Sequence, residues 1–174
     1  MGRGRRFWVV ALVGVVMIAG LAIAADHAYI SGAKCMMCHK LAKGGEVWQV
    51  WEATDHAKAF ETLNAEEGET EDPSCLKCHT TGYDDGGYEP GQEEVDFTGV
   101  QCEACHGPGA DYRITHTKEA TKEQAYAEQG LVKPTEETCL QCHNEENPFN
   151  PEEPFNYEKM WEKIAHELPE VETE

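Results

Sequence analysis

The sequence predicts a mainly α, loop-rich chain with little or no sheet, folded around a core that side chains supply only in small part. Three observations predict it. Leu, Ile, Val and Phe are scarce beyond residue 25, acidic residues dominate the charge, and one five-residue pattern recurs four times with no cysteine left over.

The chain has 174 residues, with 33 Asp and Glu against 14 Lys and Arg, for a formal charge of -19. That length suits one domain, or at most two small ones. Residues 7–25 form a nearly unbroken apolar run behind Arg3, Arg5 and Arg6, and Ala22-Ile23-Ala24 supplies a small-x-small cleavage pattern. Residues 1–24 therefore read as a signal peptide, with an uncleaved N-terminal anchor as the alternative, because such a run is just long enough to span a bilayer. Both readings export the rest of the chain, to the periplasm, the outside of the cell, or the outer face of the cytoplasmic membrane. No segment of 26–174 is apolar enough to make a second span, so no stable membrane span is expected after cleavage.

Cleavage after Ala24 leaves 150 residues and removes three arginines but no acid, which takes the charge to -22. Only 19 of those 150 residues, about 13%, are Leu, Ile, Val or Phe. A chain below ~20% in these residues with a large net charge buries too little apolar surface to offset its conformational entropy. Either it is unfolded, or something that is not protein supplies the core. The acid excess also excludes a nucleic-acid binder, which needs a basic footprint to replace phosphate counterions.

The repeated pattern names the missing core. Cys35-Met-Met-Cys38-His39, Cys75-Leu-Lys-Cys78-His79, Cys102-Glu-Ala-Cys105-His106 and Cys139-Leu-Gln-Cys142-His143 are four copies of C-x-x-C-H. This is the attachment motif of c-type haem. Two thiols add across the vinyl groups on one porphyrin edge, and the adjacent imidazole then lies under the ring, within reach of iron. A disulfide framework or zinc ligation would use the cysteines but leave His39, His79, His106 and His143 unexplained. A thioredoxin-like pair would occur once, in a βαβ setting that is absent. Four covalently attached haem c groups on residues 25–169 give each haem fewer than 40 residues, so the haems must be closely packed. Their apolar faces replace the missing aliphatic core.

Each iron also has a second axial position. Four further histidines, His27, His56, His116 and His166, equal the irons in number, and Met160 is the one methionine outside the motifs and the apolar run that could compete. His56 lies in 46–63, a stretch without Gly or Pro that reads as one helix, with Ala53, His56, Phe60 and Leu63 along one face. His166 lies at the flank of an apolar stripe on a helix expected from Asn156 to Leu168 and ended by Pro169. His116 follows a glycine-rich turn, and Thr115 or Thr117 could cap a helix over about 118–129 stopped by Gly130. His27, next to the cleavage site, is equally readable as a solvated terminal residue. Spacing does not say which histidine serves which iron.

The connections read as turns. Residues 82–91 hold four Gly, two Asp and a Pro, a pattern of turns or a short hairpin. Asp72-Pro73-Ser74 and Thr135-Glu136-Glu137 are helix-start signals just before the second and fourth motifs. Pro148, Pro151 and Pro154 suggest an extended arm leading to the last helix, and 170–174 an acidic tail.

The contexts Gly32-Ala-Lys-Cys-Met-Met-Cys-His-Lys40, Trp51-Glu-Ala-Thr-Asp-His-Ala-Lys-Ala-Phe60, Gly86-Gly87-Tyr88 and Thr98-Gly-Val-Gln-Cys-Glu-Ala-Cys-His-Gly-Pro-Gly109 resemble the cytochrome c-554 family of tetrahaem electron carriers. The resemblance spans most of the chain after the signal peptide. It implies a multihaem cytochrome c fold of helices and loops wrapped around stacked haem pairs, with distal histidines at His56, His116 and His166. It also implies that the second haem, on Cys75, Cys78 and His79, has no distal protein ligand. His27 has no counterpart in that pattern, and Tyr112 stands where many relatives carry a histidine.

The function expected is electron transfer between redox partner proteins rather than enzyme catalysis, the acidic surface steering basic docking surfaces. Two other readings stand beside it. The open second haem that the resemblance implies could bind or reduce a small nitrogen-oxide ligand. His27 could ligate across subunits and build a homo-oligomer or conductive filament.

Overall fold

The computed structural model describes residues 27–92, 94–145 and 155–166. The expected signal peptide, proline arm and acidic tail lie outside them. Eight short α-helices follow one another among the described residues: α1 Gly32–His39, α2 Val47–Glu52, α3 Pro73–His79, α4 Cys102–His106, α5 Tyr112–Thr115, α6 Glu119–Glu128, α7 Glu136–Leu140 and α8 Tyr157–Ile164. Three 3₁₀ turns interrupt them, at Ala42–Gly44, His56–Thr62 and Ala65–Glu67. Among the described residues, sheet is reduced to one antiparallel bridge between Thr80 and Thr98. No helix among the described residues is long and apolar enough to cross a membrane.

Local chemistry explains where the helices begin. Asp72 Oδ1 accepts from the Ser74 N–H at 2.8 Å, and Pro73 opens α3 where a missing N–H costs nothing. Thr135 and Thr138 form a reciprocal capping box at the start of α7. Both agree with the start signals in the sequence.

Three expectations are corrected. The stretch 46–63 is two pieces: α2 stops at Glu52, the chain turns through Ala53–Asp55, and His56 opens a 3₁₀ segment. The Thr54 hydroxyl donates to Trp51 O at 2.7 Å, and the Val100 N–H takes His56 O at 2.9 Å, so the ladder is broken from both sides. The helix over 119–128 forms without a threonine cap. The Thr117 hydroxyl donates backward to Ile114 O at 2.7 Å and the Thr115 hydroxyl donates to Gln129 Oε1 at the far end of the helix, leaving Lys118 at the cap position. Finally, α8 ends at Ile164 and not at Leu168, and Ala165 turns extended, which puts His166 beyond the helix.

The protein interior is small and half polar. Among the described residues, Val47, Leu76, Phe97, Tyr112 and Ala125 are the buried apolar ones, against Ser31, Thr80, Thr81, Gln101 and Glu103. The polar set is knit together: the Thr81 hydroxyl donates to Gly99 O at 2.8 Å and accepts from the Gln101 N–H at 2.8 Å. Gln101 Oε1 in turn accepts from the Gly32 N–H at 2.7 Å. This hub joins the segment before α1 to the loop before α4. By contrast Met37, Leu41, Ile114, Val132, Leu140, Met160 and Trp161 stand exposed, and α8 has no buried residue although its apolar side chains share one face. Five buried apolar side chains among the described residues are too few to hold those residues together against their conformational entropy. The exposed apolar residues are the surface that porphyrin faces would cover.

Candidate functional site

Each C-x-x-C-H motif lies on, or runs off the end of, a short helix: α1, α3, α4 and α7. Helical spacing puts residues i, i+3 and i+4 on one side, so the two sulfurs and the imidazole of a motif face together. None of the eight cysteines is joined in a disulfide.

The imidazoles are oriented by backbone carbonyls. Nδ1 of His39 meets Gly44 O at 3.3 Å, that of His79 meets Ala59 O at 2.6 Å, and that of His106 meets Val132 O at 3.2 Å. Nδ1 of His116 lies 2.7 Å from Tyr112 O, and that of His166 lies 3.1 Å from Ile164 O. A carbonyl only accepts, so Nδ1 carries the proton and Nε2 keeps its lone pair. This is the tautomer and the outer hydrogen bond of a metal-ligating histidine. Burial pushes the imidazoles of His39, His56, His106 and His143 below the usual histidine range, toward the neutral form that binds iron.

Two glycines let this scaffold close. Gly99 has φ +78°, and a Cβ there would meet Ala57 O at 2.9 Å, on the turn that carries His56. Gly107, at φ +79°, lets the chain after α4 press on Gly130 O, which aligns Val132 with His106.

The rings then pair. His39 and His116 have centroids 6.1 Å apart, His56 and His143 5.9 Å, and His106 and His166 6.0 Å. Two imidazoles bound through Nε2 to one metal from opposite sides, with bonds of about 2 Å, hold their centroids roughly 6 Å apart. Aromatic contact alone also permits such a distance. What distinguishes these pairs is their composition: each joins one motif histidine to one histidine outside the motifs. The interplanar angles, 18°, 56° and 61°, vary as rotation about a shared axis allows.

His79 and His27 stand apart. His79 is tethered by Ala59 O and lies 3.3 Å from the Thr62 hydroxyl, and among the described residues no imidazole faces it. His27 Nδ1 lies 2.7 Å from Asp111 Oδ2, and its ring packs on Gly130. No ring pair joins His27 to a motif histidine among the described residues, and Met160 lies exposed on α8.

The thiols show which motifs are neighbours. Cys35 and Cys102 are hydrogen-bonded, as are Cys78 and Cys142, and Cys105 is within electrostatic reach of Cys139. The first motif therefore adjoins the third, the third the fourth, and the fourth the second. This order differs from the order along the chain. Sequence reasoning also passed over Phe155, whose ring stacks on His143 at 4.9 Å, and Glu103 inside the third motif. An acid between two haem-binding cysteines was the available signal for the latter.

Comparison with known proteins gives one consistent result. Residues 34–107 match the family described as cytochrome c554 and c-prime. Cytochrome c-554 of Nitrosomonas europaea is 30% identical over 191 aligned positions, covering 87% of this chain and 78% of that protein. A solved structure of the reduced state of cytochrome c554 from Nitrosomonas europaea superposes with a TM-score of 0.54 at 31% identity, covering 80% of this chain and 79% of the other. An identity of 30% sustained over most of both proteins places the chain in the cytochrome c554 family of haem c proteins, as a c-type cytochrome of electron transfer.

Proposed function

We propose that residues 25–169 form an exported electron carrier, periplasmic or held at the outer face of the cytoplasmic membrane, with three closed irons and one open one. In this reading His39 and His116 hold the first iron, His106 and His166 the third, and His143 and His56 the fourth. His79 alone holds the second. The observation that carries it is the three ring pairs of 5.9–6.1 Å, each between a motif histidine and a histidine outside the motifs. Bound haem supplies reversible one-electron chemistry at its iron.

The chain's own residues do the rest. The carbonyls of Gly44, Tyr112, Val132 and Ile164 keep the imidazoles of the first and third pairs in one orientation, so an arriving electron finds the ligand set already placed. The adjoining thiols arrange the motifs as first, third, fourth and second, which supports a single file with His79 at one end. The net charge of -19 favours a basic partner and a salt-sensitive encounter.

Electron paramagnetic resonance and absorption spectra of the oxidised protein test the ligand set. Three low-spin centres and one high-spin centre are expected. His56→Ala, His116→Ala and His166→Ala should each convert one further centre to high spin. Four low-spin centres, or a centre lost in His27→Ala, would overturn the assignment.

A second reading is favoured by the absence of an imidazole opposite His79 among the described residues. The second haem then binds a small ligand such as nitric oxide. Reduced protein should take up carbon monoxide at one site per chain, and no uptake would exclude it. A filament joined through His27 has less support, because Asp111 of the same chain engages that ring. Monodisperse particles with unchanged spectra in His27→Ala would remove it.

A further inference from the structure

Glu103 stands between the two cysteines of the third motif and is 1% exposed, the one acid buried among the described residues. Its Oε1 accepts from the Gly109 N–H at 2.7 Å and the Ile30 N–H at 3.0 Å, and Oε2 from the Ile30 N–H at 3.2 Å. The Ser31 N–H also bonds to it. Every partner is a donor. A carboxyl proton would find no acceptor among the described residues, and three backbone donors favour the ionised form, offsetting part of the burial that on balance raises its pKa.

Gln101, two residues earlier and also buried, gives the contrast. Its Oε1 accepts from Gly32, but its Nε2 donates to Asp96 O at 3.1 Å and Thr98 O at 3.0 Å. An amide stands where donors and acceptors both face the side chain, and a carboxylate where only donors do. No salt bridge neutralises Glu103 among the described residues. Its field reaches Cys35 as well as Cys102, the hydrogen-bonded thiols of the first and third motifs. Tyr29 and Tyr112 feel the same charge, and Arg113 acts on Cys35 with the opposite sign.

We propose that Glu103 is a buried, fixed negative charge that lowers the reduction potentials of the haems on the first and third motifs relative to those on the second and fourth. An uncompensated negative charge in a low-dielectric interior disfavours the arrival of an electron nearby, and burial and neighbouring charge are among the levers that set haem potentials. The inference rests on the electron-carrier reading. It adds a direction: electrons settle preferentially toward the fourth and second motifs, the end where His79 stands.

The test is a spectroelectrochemical titration of the full haem-loaded protein with Glu103→Gln and Glu103→Asp. Gln keeps the size and removes the charge. Two of the four midpoints should rise by about tenfold in the reduction equilibrium, about 59 mV for a one-electron couple, while the other two move less. Asp keeps the charge and should hold all four within about threefold of the parent, an effect below that of one fully removed charge. Four unmoved midpoints, four moved together, or an Asp variant shifted as far as Gln would overturn the proposal and leave Glu103 a structural staple. Should the Gln variant fail to mature, infrared spectra of the parent at neutral pH decide. Absence of a buried protonated-carboxyl band supports the fixed charge, and its presence refutes it. Failure of the carrier reading would show separately, as a wrong count of low-spin centres in the parent.

Discussion

The second motif and the other three differ by one imidazole. His39, His106 and His143 each face a second histidine about 6 Å away, whereas His79 faces none among the described residues. All four have the same C-x-x-C-H text, and His79 has the shortest Nδ1 tether of the motif set, 2.6 Å to Ala59 O. The difference therefore does not lie in the motif. It lies in what distant segments bring to the opposite side: α5 delivers His116, the turn after α2 delivers His56, and the end of α8 delivers His166. In the proposed reading a shared motif supports attachment, and the long-range fold decides between a closed redox centre and an open one.

The largest expected effect removes the comparison altogether. Cys102→Ala with Cys105→Ala should cost global order as well as one redox centre, because five buried apolar residues are the whole protein core among the described residues. Far-ultraviolet circular dichroism should show most helicity lost in haem-free chain, and native helicity there would refute the idea.

Next, removing the ligand opposite another motif should extend the difference. His166→Ala should open a second centre and double carbon monoxide uptake per chain, while Thr62→Val, at the Nδ1 edge of His79 and so away from the iron-binding Nε2, should change neither the high-spin signal nor the uptake.

A smaller effect belongs to the polar hub that holds α1 against α4. Thr81→Val keeps the shape but strands the Gly99 carbonyl and the Gln101 N–H, at a cost of about 2–3 kcal/mol. Chemical denaturation of the haem-loaded protein measures it. Smallest is Asp111→Asn, which loses a partly exposed pair with His27 worth ~0–1 kcal/mol and should leave all four centres spectroscopically unchanged.

Much of this was legible in the residues. The shortage of aliphatic side chains announced a core made of something else. The start signals at Asp72 and Thr135 are read from chemistry within three residues, and they operate as expected. The long helix over 46–63 was misjudged because its break comes from Val100, 44 positions beyond His56, whose N–H takes the His56 carbonyl. The end of α8 was misjudged for a related reason: without a buried face of its own, that helix extends only as far as its surroundings support it. Glu103 was overlooked because a surface acid and a buried one look alike in an acidic sequence.

The sequence by itself determined the cofactor chemistry, the number of C-x-x-C-H motifs and the scarcity of aliphatic side chains for a core, because each depends on residue type and local spacing. Only the tertiary structure decided which histidine stands opposite which motif, which motifs adjoin, and that His27 turns to Asp111. Those are contacts between segments tens of residues apart. They follow from how loops close around a shared core, and no local pattern of residues encodes that closure.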